Sequence, residues 1–329
     1  MERIEGGHVT MPRGFRANGV VAGIKASGRP DLALLVSDAP AQAAGVFTTN
    51  LVRAYNVDRN RRLLAAGEPL RAVIVNSGNA NVATGEQGRR DTDQMAALAA
   101  ARLELRADEV AVAQTGVIGV PLPMDIIRAA VPDLAAGLSD DGGPTAAEAI
   151  CTTDTQIKQA AVRLNLDGVP VTIGAMAKGA GMIHPNMATL LCFVTTDAAL
   201  GAEAAQHALT SAVARTLNAV TIDGDQSTSD TCLLLANGLA GNPLIEELDD
   251  PRLTVFTQAL TAVLDPLARL IARDGEGASK LLVVRVNGAL SDPQAAQAAR
   301  AVAASNLFKC AVRGSDPNWG RIACAVGYS

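Results

Sequence analysis

The chain has 329 residues, of which 49% are hydrophobic, enough for two domains or one large unit with a sizeable core. Only 2% of the residues are aromatic, the net charge is −5 and no strongly basic block is present, whereas nucleic-acid-binding proteins typically have clustered basic side chains and aromatic side chains for stacking. The first eight residues contain no apolar signal segment, and no apolar stretch approaches the ~20 residues that cross a membrane, so we expect a cytoplasmic protein without a membrane or nucleic-acid partner.

The first half of the chain alternates predicted strands with predicted helices. Short apolar runs favour buried strands, and apolar residues at helical spacing favour helices. The segment 138–144, which contains two Asp and two Gly residues, reads as a loop. The elements predicted here are strands at 30–37, 70–76 and 109–114 and helices at 91–105 and 124–136.

The second half continues the same mixture. Alternating apolar residues on both sides of Asp167-Gly168 predict a β-hairpin over 160–175, because Asp-Gly is a strong turn dipeptide. Because predicted strands and helices mix throughout, we expect an α/β fold. No internal repeat or linker interrupts the chain. The other predicted elements are strands at 190–196, 281–286 and 308–313 and helices at 203–217, 251–270 and 293–304.

The segment Lys178–Thr189 reads Lys-Gly-Ala-Gly-Met-Ile-His-Pro-Asn-Met-Ala-Thr. If the Thr189 hydroxyl attacked the Ala188 carbonyl, water would hydrolyse the resulting ester and release Thr189 with a free α-amine. A threonine hydroxyl beside its own N-terminal amine is an activated nucleophile, and an unperturbed α-amine has a pKa of about 7.7–8.0, suited to a base near neutral pH. Taken alone, however, the segment is more typical of a glycine-rich turn that enters a strand.

Other polar segments allow both a functional and an ordinary interpretation. Backbone N–H groups or the hydroxyl at Thr115-Gly116 could stabilise an oxyanion, although a simple turn is the more typical interpretation. Glu276, in the charged segment Arg273–Lys280, could bind a substrate ammonium group or be a solvated loop residue. Thr152–Asp154 and Asp223–Asp225 are polar anchors or turns. His184 has no second histidine at metal-ligand spacing, so we expect no metal site.

Several of these phrases together resemble the ornithine acetyltransferase family, the glutamate N-acetyltransferases of the cyclic arginine pathway. The phrases follow a fixed order along nearly the whole chain, and Lys178–Thr189 is the most specific of them. They are Asn76–Asn81, Gly85–Gly88, Thr115–Gly119, Thr152–Thr155, Lys178–Thr189, Asp223–Asp225, Arg273–Lys280 and Asn318–Arg321.

The resemblance implies cleavage of the Ala188–Thr189 bond, giving an α chain of residues 1–188 and a β chain of residues 189–329. It implies Thr189 as the nucleophile that accepts an acetyl group. It also implies an oxyanion hole and a set of substrate contacts. The oxyanion hole would comprise Thr115 and Gly116, and the substrate contacts would be Lys178, Glu276, Thr189 and one of Thr152 and Thr153, with the choice between those two open.

The implied reaction takes the acetyl group from N2-acetylornithine and gives it to glutamate, with no cofactor; use of acetyl-CoA as a second donor stays open. The implied fold is a layered α-β-β-α arrangement that resembles the N-terminal nucleophile hydrolases in mechanism but not in connectivity. The implied assembly is an α2β2 heterotetramer.

One departure from the family pattern is at the C-terminal end. Family members continue well past the Asn318–Arg321 phrase and supply further substrate contacts there, whereas this sequence stops at Ser329. We therefore expect self-cleavage to be retained and acetyl transfer to be the more vulnerable activity. Two alternatives stay open: a related self-processing aminopeptidase or amidase that passes the acyl group to water, and an inactive remnant.

Overall fold

The computed structural model describes residues 1–184 and 190–329. These residues form two stacked β-sheets between layers of helices. The strands are β1 (Glu2–Ile4), β2 (Phe15–Val20), β3 (Leu32–Phe47), β4 (Leu70–Asn79), β5 (Val110–Val117), β6 (Lys158–Leu166), β7 (Val169–Lys178), β8 (Leu191–Thr196) and β9 (Thr231–Ala236). The helices are α1 (Tyr55–Ala66), α2 (Gly85–Leu103), α3 (Met124–Ala136), α4 (Gly143–Ala149), α5 (Ala202–Arg215), α6 (Pro251–Arg273), α7 (Asp292–Ala304), α8 (Asn306–Arg313) and α9 (Trp319–Gly327).

The long strand β3 belongs to both sheets. Its register shifts between Val36 and Ala41, and such an irregularity bends a strand. The first part of β3 pairs with β2 and β4, and β4 pairs with β5 in parallel. The second part pairs with β9, and the sheet continues through β8, β7 and β6 to β1. One strand therefore connects the two layers.

Strand β8 shows why the sequence of the inner strands is apolar without alternation. Leu191 and Phe193 pack in the core between the two sheets, whereas Cys192 and Val194 pack beneath helices α5 and α6. Successive side chains of a strand point to opposite faces, so a strand covered on both sides is apolar throughout. On the other sheet, helices α2 and α3 cover the outer face. The layers thus follow the α-β-β-α order, and the predicted fold class is confirmed.

Most predicted elements are present, with shifts at the ends. The helix 124–136 and the Asp167-Gly168 hairpin are confirmed. The helix predicted to begin at Asp91 instead begins at Gly85, so the polar stretch before it is the first turn of α2. The loop predicted over 138–144 is shorter in the structure, because helix α4 begins at Gly143.

Two predicted strands near the C-terminal end are wrong. Residues 308–313 form helix α8, because the Ser305 hydroxyl caps it by accepting from the Phe308 N–H (3.2 Å), and because Phe308 and Ala311 share its buried side. Residues 281–286 are not in a strand. Leu282 and Val284 pack on one side near Phe308, but no described strand lies alongside to pair with them.

Helix α6 corrects the expectation that no segment is long and apolar enough to cross a membrane. By length and composition α6 passes that test. Its apolar stripe, however, packs in the core beneath β6 and β7, with Phe256, Leu260 and Leu264 buried. A core helix of this kind is typical of a folded α/β domain.

Candidate active site

A cavity of about 790 Å³ lies where the ends of β4, β5 and β7 meet. Segments far apart in the sequence line it, and they bring together six of the residues singled out from the sequence. These are Thr115, Gly116, Thr152, Thr153, Lys178 and Glu276. The predicted cleavage residues Ala188 and Thr189 lie outside the described residues. Leu191 is the register partner of Lys178, so the chain that follows Thr189 returns to the strand next to this cavity.

Gly116 is in a position that only glycine can occupy. Its φ is +132°, and a Cβ built on it would lie 2.2 Å from the backbone carbon of Gly78 on the parallel strand β4. Side chains rarely adopt this backbone region, and the close approach of β4 would exclude them in any case. Thr115 and Gly116 therefore lie close against β4 at the cavity wall, with no side chain at Gly116.

Lys178 ends β7 with a buried side chain, only 2% exposed. Its Nζ donates to the Thr115 Oγ1 at 3.3 Å. Burial lowers the pKa of Lys178, and the charge of Asp154 opposes this shift, followed by Cys151 and Asp230. A substrate carboxylate entering the cavity would favour the charged amine, because an opposite charge stabilises a buried cation.

A buried ion network, which the sequence did not reveal, supports the wall of the cavity. Lys158 on β6 is fully buried, and its Nζ bonds Asp154 Oδ1 at 2.6 Å and Asp274 Oδ2 at 2.5 Å. Burial alone would raise the pKa of Asp154, but Lys178, Lys158 and the Gly179 N–H outweigh it and hold that pKa below its usual value.

The same carboxylates hold two cavity segments by their backbones. Asp154 accepts from the N–H of Thr152 (3.0 Å) and from that of Gly179 (2.7 Å), the residue after Lys178. Asp274 accepts from the N–H (3.1 Å) and the hydroxyl of Thr155. The network therefore fixes the position of the 152–155 segment relative to the end of β7.

Glu276 follows helix α6, and its side chain lies at the cavity beside Gly181. Its N–H donates to the Ala180 carbonyl at 2.7 Å. A Cβ on Gly181 would lie 2.6 Å from the Glu276 Oε1, so the glycine makes room for the carboxylate. The side chain of Glu276 is exposed to solvent in the open cavity, where it can meet a cationic group.

Asp223 binds the chain at Met182 and Ile183, a few residues before the predicted cleavage site. Its two carboxylate oxygens accept from the N–H groups of Met182 (2.5 Å) and Ile183 (2.9 Å). Met182 has a φ of +59°, a conformation that non-glycine residues rarely adopt. The sequence indicated Asp223 as a polar anchor or turn residue, and the structure shows it anchoring the turn.

Asp230 is a buried carboxyl group that sequence reasoning did not single out. Its Oδ1 accepts from the Leu190 N–H at 2.8 Å, and its Oδ2 has no partner at hydrogen-bond geometry among the described residues. Burial raises the pKa of Asp230 well above its usual value, outweighing the Leu190 N–H, the charge of Lys178 and the Ser227 hydroxyl. A buried carboxyl group with a raised pKa thus lies at the amide that follows Thr189.

The described residues contain no group of three or more His, Cys, Asp or Glu side chains arranged to hold a metal ion. His184 instead contacts the Thr221 hydroxyl at 3.1 Å. The polar groups of the cavity are hydroxyls, lysines, carboxylates and backbone amides. Such a set suits a small zwitterionic ligand, since each charged end can meet an opposite charge.

The sequence and the fold are those of a known class of biosynthetic enzyme. Residues 16–329 match the ArgJ family. The "Arginine biosynthesis bifunctional protein ArgJ" of Symbiobacterium thermophilum is 57% identical over 331 residues, which cover the whole of this chain and 82% of that protein. The chain therefore belongs to the ArgJ family and is an enzyme of arginine biosynthesis, and the resemblance noted from the sequence is confirmed.

Two solved structures are similar to this one over part of its length. A crystal structure of the arginine biosynthesis bifunctional protein ArgJ from Bacillus halodurans is 41% identical with a TM-score of 0.53. A structure of ornithine acetyltransferase from Mycobacterium tuberculosis, in complex with ornithine, is 47% identical with a TM-score of 0.52. Each match covers 56% of this chain and 97% of the matched chain.

Proposed function

We propose that this enzyme transfers an acetyl group from N2-acetylornithine to glutamate through an acetyl ester on Thr189. The observation that supports this most is the cavity, which brings Thr115, Gly116, Lys178 and Glu276 together from three separate segments. The relatives are named bifunctional arginine biosynthesis proteins, and a structural relative was solved with ornithine. Acyl transfer between two amino acids agrees with both.

The first step of the proposal is self-cleavage. The Thr189 Oγ attacks the Ala188 carbonyl carbon, the peptide bond to the Thr189 nitrogen breaks, and water hydrolyses the ester. The products are residues 1–188 with a new carboxylate and residues 189–329 with a free α-amine. The matched chains of both solved relatives support this step, because 56% of 329 residues is about 184, close to the length of the first product.

In the second step the α-amine takes the proton from the Thr189 Oγ, which attacks the acetyl carbonyl of N2-acetylornithine. Negative charge develops on the carbonyl oxygen, where the Thr115 hydroxyl and the Gly116 backbone donate hydrogen bonds. Such preorganised donors lower the barrier because they need no rearrangement as the charge forms. The C–N bond then breaks, and ornithine leaves with the proton.

In the third step the amine of glutamate attacks the acetyl ester and the proton returns to the Thr189 Oγ, giving N-acetylglutamate. Lys178 would bind the α-carboxylate that both substrates share, and Glu276 would bind the side-chain ammonium of ornithine. One of Thr152 and Thr153 would add a hydroxyl contact. Acetyl-CoA is a second donor to test, with glutamate as acceptor. The expected α2β2 assembly and cytoplasmic location belong to the same proposal.

The test is to measure ornithine release from N2-acetylornithine with and without glutamate. For a transferase we expect one equivalent of ornithine without glutamate and continued release once glutamate is added. Continued release without glutamate, at the same rate, would mean that water accepts the acetyl group. That result would replace our proposal with the aminopeptidase or amidase alternative.

We expect Glu276→Gln to weaken binding of N2-acetylornithine about tenfold or more, since hydrogen bonds to charged groups contribute about 1.5–3 kcal/mol. The glutamine keeps the shape of the side chain but removes its charge. The measurement is the concentration dependence of acetyl-enzyme formation. Glu203→Gln, a matched change on the exposed side of α5, is the control. Equal behaviour of the two variants would remove Glu276 from the substrate site.

A further inference from the structure

The two substrates of the proposed reaction carry opposite charges on their side chains. Both present an α-carboxylate, but ornithine ends in an ammonium group and glutamate in a second carboxylate. A cavity that accepts both needs a cation for each carboxylate of glutamate. Among the described residues lining the cavity, the cationic side chains are Lys25 and Lys178, and the anionic ones are Asp225 and Glu276. If Lys178 binds the α-carboxylate, Lys25 is left for the side-chain carboxylate of glutamate.

Lys25 is held by its backbone and by the tip of its side chain. It lies in the loop between β2 and β3, where its N–H donates to Asp31 Oδ2 at 2.8 Å. Its Nζ donates to the carbonyl of Cys151 at 2.9 Å, the residue that precedes Thr152 in the cavity wall. An ammonium group has three donors, so two remain for a ligand.

A glycine gives the stem of Lys25 its path into the cavity. A Cβ built on Gly78, at the end of β4, would lie 2.8 Å from the Lys25 Cγ. Gly78 is also the strand partner of Gly116, so the stem of Lys25 passes beside the proposed oxyanion hole. The stem is therefore fixed against the sheet and directed along the cavity wall.

The positive charge of Lys25 is only partly balanced by neighbouring negative charges. The residue is half-buried, and burial lowers its pKa, an effect that the charge of Asp31 opposes ahead of the smaller influences of Arg29, Cys151 and Glu148. The Asp31 carboxylate already accepts from three backbone N–H groups, those of Ala22, Gly23 and Lys25. No described carboxylate forms an ion pair with Lys25, so an incoming anion would find this ammonium group available.

We propose that Lys25 binds the side-chain carboxylate of glutamate and so selects the acetyl acceptor. This inference rests on the proposed acetyl transfer. It gives each of three charged side chains one group to bind. Lys178 binds the carboxylate common to both substrates, Lys25 the carboxylate found only in glutamate, and Glu276 the ammonium found only in ornithine. Lys25 thus contributes to the second half of the reaction more than to the first.

The experiment uses Lys25→Gln, which keeps a donor for the Cys151 carbonyl but removes the charge, and Lys25→Arg, which keeps the charge. Acetyl-enzyme is formed with N2-acetylornithine, and its decay is followed with glutamate and with glutamine. We expect Lys25→Gln to raise the glutamate concentration needed for half-maximal decay about tenfold or more. The rate ratio of glutamate to glutamine should fall by a similar factor, and Lys25→Arg should recover part of that preference.

Formation of the acetyl-enzyme from N2-acetylornithine should change much less in Lys25→Gln, because that substrate has no side-chain carboxylate. An equal loss with both substrates, or an unchanged glutamate-to-glutamine ratio, would overturn the assignment. Failure of the underlying acetyl transfer is distinguishable, because the unaltered enzyme would then release no ornithine or would release it continuously without glutamate. A melting curve of each variant shows that it is folded, and the ratio of two acceptors on one protein sample is independent of how much of it is active.

Discussion

Replacing Thr189 with alanine is expected to leave the chain in one piece and to lower acetyl transfer by about 10⁴-fold or more, the scale of losing a catalytic nucleophile. The hydroxyl is required twice in the proposed chemistry, first to attack the Ala188 carbonyl and then to hold the acetyl group. The α-amine that serves as base is absent as well in an uncleaved chain. A denaturing gel and an assay of ornithine release measure the two effects.

Thr189→Ser is the matched control, because it keeps the hydroxyl and the potential α-amine and removes only a methyl group. We expect this variant to be cleaved at the same bond and to retain transfer. Acetyl transfer that survives in Thr189→Ala would show that another group accepts the acetyl. Cleavage that persists in Thr189→Ala would show that the hydroxyl does not start the maturation.

Replacing Lys158 with methionine is expected to lower the free energy of unfolding by about 3–5 kcal/mol, the usual cost of breaking a buried ion pair by removing one partner. The change leaves the carboxylates of Asp154 and Asp274 without their cation in a site where Lys158 is fully buried. Transfer should fall too, since these carboxylates hold the Thr152 and Gly179 amides at the cavity. Unfolding in urea measures the stability.

The effect of Lys158→Met should depend on pH. Lys158 helps to lower the pKa values of Asp154 and Asp274 in the folded protein. A carboxyl group with a lowered folded-state pKa stabilises the fold above its unfolded pKa of about 4, and this contribution is lost as the pH falls through the folded value. The difference between the variant and the unaltered protein should therefore be largest at neutral pH and shrink in acid.

Arg128→Met is the control for that measurement, because it removes an exposed ion pair. Arg128 bonds Asp125 at 2.9 Å with both side chains exposed, and such pairs contribute about 0–1 kcal/mol. If Lys158→Met were no more destabilising than Arg128→Met, the buried network would have no special role in holding the cavity wall.

Local sequence patterns predicted the elements whose signals are local. The hairpin at Asp167-Gly168 and the helix 124–136 needed only a turn dipeptide or a helical spacing of apolar residues, and both are present. Strand β9 was missed, although Thr231–Ala236 is buried throughout. The apolar run in residues 281–286 predicted a strand, but an extended segment becomes a strand only where another lies beside it, and that depends on distant parts of the chain.

The residues of the candidate site likewise fall into those that sequence motifs identified and those that they did not. Thr115, Gly116, Lys178 and Glu276 belong to phrases that the family resemblance made recognisable, and the structure places all four at one cavity. Lys158, Asp230 and Lys25 belong to no motif that the sequence reasoning used. Their partners are distant in sequence or on other elements, such as Asp274 for Lys158 and the Cys151 carbonyl for Lys25, and only the fold brings those partners together.

In the proposed chemistry, cleavage creates a threonine that then carries the acetyl group. Intact-mass measurement of the purified protein, before and after addition of N2-acetylornithine without glutamate, shows whether both events occur. We predict two chains, the second beginning at Thr189, and a gain of one acetyl group on that second chain which glutamate removes. A single uncleaved chain, or an acetyl group located on any residue other than Thr189, would contradict the account.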